Sequence, residues 1–532
     1  YYNNSFDKNL FYKMLDSSKK RSSFIIDKNH FENKIKRSAA HIPITIMDYI
    51  DFETKVLLNE RKIDFPGLIF KSNPARFYSN ELRLSHVLGY LRPVSNSLVD
   101  NKIYYSNDSY GIDGIEKKYE KKLRGKKGVE YHIFSSNGID HGIDITKDNK
   151  PPESGTNILL TIDYDLQLKI ESLLKNYKGA IICMNPKNGE VLAMSSSPDY
   201  SLTEFIGPLK TKTWEKWKKE QILLNRVVQE HYAPGSIYKL VASIMFLEEG
   251  LDPNEKVLCN GVYNLEDQSN PDKPRAFHCW NRSGHGEVNL HDAIKKSCNV
   301  YFYDRILKYQ EENANIINVL NTYATKLGFG NKTGLNLHYE IKGKVPTVKS
   351  MNQLYRGSRN WSKRGNMPNL IIGQGETTVT PIQVINFINL IATDGNTFRP
   401  KLVLDEESIP FNYTLKQDTW NIINQGMYAV VNDIGGTANS FIDSLILNND
   451  QVNIMGKTGT AQKESLDNDK NEDLMYISWF AGYIEVDDDI MSITVMLDDV
   501  NKDSKTVAKQ ISNQIFDYYI SFGISNPNSL TK

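Results

Sequence analysis

The rhythm of apolar positions changes near residue 150. Before it, short apolar pieces such as SSFIID (22–27), IPITIMDYI (42–50) and HVLGYL (86–91) alternate with polar turns rich in Lys, Asn, Asp and Tyr. Such pieces bury little core alone and predict an extended region of mixed helix and strand. Inside it, GIDGIEKKYEKKLRGKKG (111–128) predicts a charged helix with Ile115, Tyr119 and Leu123 on one face and glycines at both ends. The polar run TKDNKPPESGTN (146–157) reads as a linker.

Beyond the linker, NILLTIDYDLQLKIESLLKNY predicts a strand from Ile158 to Ile162 and then a helix. GAIICMNPKNGEVLAMSSSPDY predicts two strands around Pro186-Lys187-Asn188-Gly189, because Asn-Gly marks a hairpin. Leu240, Val241, Ile244, Met245 and Leu247 have helical spacing behind Pro234 and Gly235, where a helix can begin. Leu290, Ala293 and Ile294 predict another helix. Three strand-like runs follow at 451–462, 475–486 and 490–499, then an amphipathic helix over 505–520. Strands joined hairpin to hairpin predict an α+β domain, an antiparallel sheet flanked by helices. The expected division is 1–150 and 151–532.

Composition narrows the partners. Lys plus Arg number 64, as do Asp plus Glu, which argues against a nucleic-acid partner. No apolar run reaches the ~18 residues of a membrane span, and the opening YYNNSFDKNL does not read as a signal peptide. Four cysteines in 532 residues do not make a disulfide scaffold.

The chemistry gathers in three places. Ser236 and Lys239 are three apart on the expected helix, placing an amine beside a hydroxyl. A serine hydroxyl needs a base, and a lysine serves only when burial or a second cation makes its ammonium easy to deprotonate. Ser297-Cys298-Asn299 ends the helical stretch LHDAIKK. Lys457-Thr458-Gly459-Thr460 lies in a strand-like run, where Gly459 would let a substrate backbone approach. A second copy, Lys332-Thr333-Gly334, follows LGFGN and is expected to be a loop. Separately, Cys259, Cys279, His285 and Cys298 follow Cys-x19-Cys-x5-His-x12-Cys, a donor set suited to structural zinc. The alternative is a Cys259–Cys279 disulfide, which leaves Cys298 unpaired and His285 without a partner. Cys183 reads as core, and His231 and His291 as local hydrogen-bonding or surface residues.

Ser-x-x-Lys, Ser-x-Asn and Lys-Thr-Gly in that order form the signature shared by penicillin-binding proteins and class A β-lactamases. The chain resembles class B penicillin-binding proteins, and closely their elongation-specific penicillin-binding protein 2 branch. RFYSNELRLSHVLGYL and GIEKKYEKKLRGKKG are similar to runs of that family's pedestal. NRVVQEHYAPGSIYK, HCWNRSGHGEVNLHDAIKKSCNVYFY and GNMPNLIIGQGETTVTPIQ are similar to its catalytic segments. RSSFIIDKNHFEN (21–33) departs from the family's Arg-Gly-x-Ile-x-Asp-Arg-Asn-Gly pattern.

The resemblance implies a penicillin-binding/serine transpeptidase fold with an elongated, non-catalytic N-terminal pedestal. It implies D,D-transpeptidation of peptidoglycan stem peptides ending in D-Ala-D-Ala, and acylation by β-lactams. Ser236 would be the nucleophile and Lys239 the base, its pKa lowered by Lys457 and burial. Ser297 would relay the proton, and Asn299 would hold Lys239 and the substrate amide. Lys457, Thr458 and Thr460 would grip the carboxylate. The N–H groups of Ser236 and Thr460 would form the oxyanion hole. Some relatives look to have a metal at the Cys/His positions. A membrane glycosyltransferase and an elongation scaffold would be partners. The catalytic part would lie outside the cytoplasmic membrane, held by an N-terminal anchor absent from these residues. A serine β-lactamase, a D,D-carboxypeptidase and a non-catalytic penicillin-binding sensor remain alternatives. No Glu-x-x-x-Asn loop for deacylation stands out between Ser297 and Lys457, and no multiple membrane spans are present.

Overall fold

The computed structural model describes residues 50, 52–60, 70, 76–79, 81–95, 97–99, 103–105, 108–135, 140–206, 209–266, 274–313, 315–335, 337, 339–356, 362–442, 451–463 and 475–522. The apolar piece 22–27, the divergent run 21–33 and all but Ile50 of 42–50 lie outside the described residues. The chain packs into two units. One comprises residues 1–78, 121–157 and 202–211; the other comprises 79–120, 158–201 and 212–532.

In the first unit, strands His132–Phe134 and Asp140–Ile143 pair antiparallel. The expected linker is partly laddered there. Lys126 and Glu153 exchange N–H···O bonds of 2.9 Å in both directions, as do Val129 and Lys150 at 2.8 Å.

In the second unit, residues 84–90 pack on Tyr200. Its hydroxyl donates to the Ser85 carbonyl at 3.1 Å, and its ring meets His86 edge-on at 5.1 Å. Burial pushes the His86 imidazole down to about 4. The expected charged helix is two short ones, Gly114–Lys118 and Glu120–Leu123. Tyr119 breaks them with φ −109° and ψ 19°. Its hydroxyl and the Lys118 ammonium both reach the Glu406 carboxylate, so tertiary contacts override the helical pattern there.

The expected strand at 158–162 reduces to one bridge, Leu160 to Val403. Asp163 then starts helix α1 (Tyr164–Leu174), its carboxylate accepting the Leu166 N–H at 2.8 Å, a cap worth about 1 kcal/mol. The hairpin forms as expected: β1 (Lys178–Met184) and β2 (Val191–Ser197) flank a turn ending in Gly189 at φ +79°. Helix α2 (Tyr238–Glu248) is buried from Tyr238 to Leu247. Short strands β3 (Val257–Cys259), β4 (Val262–Leu265), β5 (Arg275–His278) and β6 (Gly286–Val288) pair as β3–β6 and β4–β5. Helices α3 (Leu290–Lys295) and α4 (Asn299–Glu312) follow, then α5 (Pro381–Ala392) and α6 (Gln417–Asn432). Strands β7 (Val452–Gln462), β8 (Tyr476–Val486) and β9 (Asp489–Val500) lead into helix α7 (Val507–Phe522).

The central sheet is antiparallel throughout, ordered β7-β8-β9-β1-β2. Side chains alternate across it. Tyr483 donates to Asn424 on α6 at 2.8 Å, whereas Phe480 meets Phe516 on α7 at 5.8 Å between ring centroids. Both faces are therefore covered, and β8 reads as a continuous apolar run instead of an alternating one. Among the described residues β7 lies at one edge, with no strand paired on its outer side. Among the described residues no helix is long and apolar enough to cross a membrane.

Candidate active site

The nucleophile candidate sits in a tight turn that several elements fix. Tyr232 exchanges backbone hydrogen bonds with Val379, both 2.8 Å, and the Trp479 indole donates to the Ala233 carbonyl at 3.0 Å. Gly235 takes φ +52°, and its N–H donates to the Gly373 carbonyl at 2.9 Å. Ser236 then lies in a 3-10 turn, Gly235–Ile237, just ahead of α2 and not on it. The left-handed glycine breaks the helical geometry that the apolar spacing predicts back to Pro234. Ser236 is half-buried, and Lys239 is fully buried one turn further on.

Lys239 carries three donors, and three acceptors meet them. Its Nζ lies 2.8 Å from the Ser297 carbonyl, 3.1 Å from Ser297 Oγ and 2.6 Å from Asn299 Oδ1. Asn289 caps α3 by accepting the Asp292 N–H at 3.0 Å, and Leu290, Ala293 and Ile294 are its buried positions. The chain leaves α3 through Ser297 at φ +50°, a left-handed conformation uncommon outside glycine. That turn presents the Ser297 carbonyl and hydroxyl to one ammonium. Asn299 begins α4, and its Nδ2 donates to the His278 carbonyl at 3.2 Å, which leaves Oδ1 for Lys239.

Burial pushes Lys239 down to about 8, against the Cys279 and Cys298 thiols, which raise it. Lys457 is also fully buried and lies well below the ordinary lysine range, through burial first, then Lys239 and Lys509. Two buried amines of like charge disfavour each other's protonated form, which adds to the effect of burial on Lys457. Lys457 Nζ has one long backbone contact, the Thr458 carbonyl at 3.4 Å.

Lys457, Thr458, Gly459 and Thr460 all lie on β7. A Cβ on Gly459 would come within 3.0 Å of the Pro234 carbonyl and of Ile237 Cγ1. Within the chain, the neighbour that needs this glycine is the turn holding Ser236. Conversely, a Cβ on Gly235 would lie 2.9 Å from the Thr460 carbonyl. Two facing glycines thus bring the turn and the strand into contact, with Thr460 beside Ser236. Thr458, 9% exposed, has its Oγ1 2.8 Å from Thr437 Oγ1, while Thr460 is exposed. The second Lys-Thr-Gly lies in a loop, where the Thr333 hydroxyl is held by Glu340 at 2.7 Å.

Beside the Ser-x-Asn turn, Cys259, Cys279, His285 and Cys298 bring one donor atom each within 4.8 Å of one another. All four cysteines, Cys183 in the β1 core included, are free thiols. His285 Nδ1 lies 3.6 Å from Cys259 Sγ and 3.5 Å from Cys279 Sγ. Sulfur and nitrogen ligands at ~2.3 and ~2.0 Å in a tetrahedron stand ~3.5 Å apart, a spacing that the two His285 contacts match, and three thiols with an imidazole are a donor set suited to zinc. The thiols also share a proton unequally. Cys279 is pushed far down, chiefly by its hydrogen bond with Cys298, and Cys298 far up. Buried thiols in this position ionise together only if a cation joins them. The Asn299 N–H donates to Cys279 Sγ at 3.4 Å, which links the cluster to the motif holding Lys239.

Gly373, Thr437 and Lys509 belong to this site and were not singled out from the sequence. A Cβ on Gly373 would fall 2.4 Å from the Gly235 carbonyl. GQGE (373–376) and GGT (435–437) show only as glycine turns, and what they touch lies far away in the chain.

The family model described as "Penicillin binding protein transpeptidase domain" matches residues 179–517, and that described as "Penicillin-binding Protein dimerisation domain" matches 4–160. A peptidoglycan D,D-transpeptidase MrdA of Haemophilus influenzae is 28% identical, the match covering 93% of this chain and 77% of the relative. The structure of penicillin-binding protein PBP2 of Helicobacter pylori in complex with MreC superposes with a TM-score of 0.79 at 26% identity, covering 97% of this chain and 92% of that one. Pseudomonas aeruginosa PBP2 in complex with WCK 5153 gives a TM-score of 0.70 at 26% identity, covering 87% and 94%. With the three motifs gathered at one turn and the transpeptidase model spanning more than half its length, the chain belongs to the penicillin-binding protein transpeptidase family.

Proposed function

We infer that the chain is a peptidoglycan D,D-transpeptidase of cell-wall elongation, working through an acyl-enzyme at Ser236 and acylated there by β-lactams. The observation that carries this is the convergence of Ser297 and Asn299 on the Lys239 amine, one turn from Ser236. When Lys239 loses a proton it keeps two donors for these partners and gains a lone pair. That lone pair takes the Ser236 proton as Oγ bonds to the penultimate D-Ala carbonyl carbon. The negative charge on the carbonyl oxygen is met by the N–H groups of Ser236 and Thr460, brought together where Gly235 packs on Thr460 and Gly459 packs on Pro234 and Ile237. The C–N bond then breaks, and the proton passes through Ser297 to the departing D-Ala amine. A second stem peptide's amine attacks the acyl carbon, gives up its proton along the same path and restores the Ser236 hydroxyl. Lys457, Thr458 and Thr460 hold the terminal carboxylate. Its charge also returns a proton to Lys457, so substrate binding charges an amine that burial had made easy to neutralise.

Cys259, Cys279, His285 and Cys298 would hold zinc, which supplies a fixed positive charge and a cross-link between the β3–β6 pair and the Ser-x-Asn turn. Residues 1–150 would act as the non-catalytic pedestal; the dimerisation-domain match over 4–160 supports this. An elongation scaffold is the expected partner, as MreC is for the Helicobacter pylori relative, together with a membrane glycosyltransferase. The reaction places the catalytic unit outside the cytoplasmic membrane, where its polymer lies.

Labelling with a fluorescent penicillin, followed by mass mapping, tests the reading. One adduct on the peptide holding Ser236, lost in Ser236→Ala, is expected. An adduct elsewhere, or persistent labelling of the variant, overturns it. Rapid catalytic turnover of nitrocefin would point to a β-lactamase instead.

A further inference from the structure

Residues 433–442, which follow α6, are tied to their surroundings at several points. Lys295 on α3 grips them twice, through an Nζ–Asp433 ion pair at 3.0 Å and through its carbonyl, which accepts the Thr437 N–H at 3.4 Å. Asn439 Nδ2 donates to the Val431 and Asn432 carbonyls at 3.0 and 3.1 Å. From α7, Lys509 Nζ donates to the Thr437 carbonyl at 2.9 Å and lies 4.1 Å from the centre of the Phe441 ring. Two of these ties, from the Lys295 carbonyl and from Lys509 Nζ, hold the backbone of Thr437, whose Oγ1 is 2.8 Å from Thr458 Oγ1.

Two hydroxyls at that distance share one proton, and the direction of sharing decides what Thr458 offers a ligand. If Thr437 accepts, the Thr458 proton is consumed and only lone pairs face outward, which repel a carboxylate. If Thr437 donates, the Thr458 proton is free for an incoming anion. We propose that Thr437, tethered by Lys509 and Lys295, is a positioning residue whose hydroxyl donates to Thr458 and so turns the Thr458 proton toward the substrate carboxylate. The inference rests on the transpeptidase reading and adds a specificity determinant to it: selection for a terminal carboxylate depends on a residue outside the three motifs. Burial pushes Lys509 down to about 8. An ammonium held there, on a carbonyl and against an aromatic ring, strengthens the positive potential on this side of β7.

The experiment compares the second-order acylation rate by benzylpenicillin with that by its neutral methyl ester. It uses the full chain and the Thr437→Val, Thr437→Ala, Thr437→Ser and Lys509→Met variants, with thermal unfolding recorded for each. Thr437→Val is expected to lower the acid rate about five- to tenfold, the effect of one hydrogen bond, and to leave the ester rate unchanged. Thr437→Ser restores the acid rate to within about twofold, since it keeps the donor. Lys509→Met lowers the acid-to-ester ratio in the same direction by a smaller factor, and Thr437→Ala, which also removes the donor, decides the question if Thr437→Val does not fold. An unaltered ratio in the folded variants, or equal losses for acid and ester, overturns the proposal. Failure of the wild-type chain to react with benzylpenicillin at all would overturn the transpeptidase reading instead.

Discussion

Two buried lysines flank the nucleophile turn and are held in opposite ways. Lys239 meets three oxygen acceptors within hydrogen-bonding distance, all from one short turn at the end of α3. Lys457 is equally buried but, among the described residues, has only a carbonyl at 3.4 Å, with Lys239 and Lys509 as its charged neighbours. A satisfied ammonium is a group already in place for its task. An unsatisfied one is a group waiting for a counter-ion. The contrast supports the proposed division of roles, Lys239 as base and Lys457 as anion-binding cation, although both are lysines of short motifs.

The largest effect that could break this contrast is on the Lys239 side. Lys239→Met is expected to lower the rate constant for penicillin acylation by about three orders of magnitude, in the range of general-base catalysis, while the thermal transition stays cooperative. A loss under tenfold, read by stopped flow, would show that another group takes the Ser236 proton. Next is Lys457→Met, for which the acylation rate by a carboxylate-bearing β-lactam should fall about 10- to 100-fold, as for a lost charged hydrogen bond. The loss should nearly vanish with a neutral ester; equal losses on both would place Lys457 in proton transfer and erase the distinction. The smallest effect is expected at the thiol cluster. Cys259→Ser, at the donor outside the Ser-x-Asn turn, should abolish stoichiometric zinc in elemental analysis and lower Tm by about 3 °C per kcal/mol of stability lost. Acylation should change only severalfold. Full zinc retention would contradict the four-donor assignment.

The sequence carried the sheet and its hairpins because short strand-like apolar runs and the Asn188-Gly189 turn are local signals. It also distinguished the two Lys-Thr-Gly copies, since glycines precede one and a strand-like run leads into the other. It failed where a tertiary partner decides. Ile158–Ile162 has strand residues but pairs with residues 402–404 only through a single bridge, Leu160 to Val403, flanked by bonds at Leu159 and Thr161. The helix through Tyr119 breaks where Glu406, distant in the chain, takes both Lys118 and Tyr119. Gly459 was legible as a close-approach residue, yet what approaches is Pro234 and Ile237. Gly373, Thr437 and Lys509 reach the site only through folding, and no local spacing announces them.

The most direct measurement is the pH dependence of the acylation rate constant under single-turnover conditions. Only the neutral Lys239 amine accepts a proton, and burial places its pKa at about 8. The rate should climb about tenfold per pH unit on the acid side and level off above about 8, with the rising limb lost in Lys239→Met. A rate that keeps climbing toward the ordinary lysine range, or one flat from pH 6 upward, would contradict a base made available by burial.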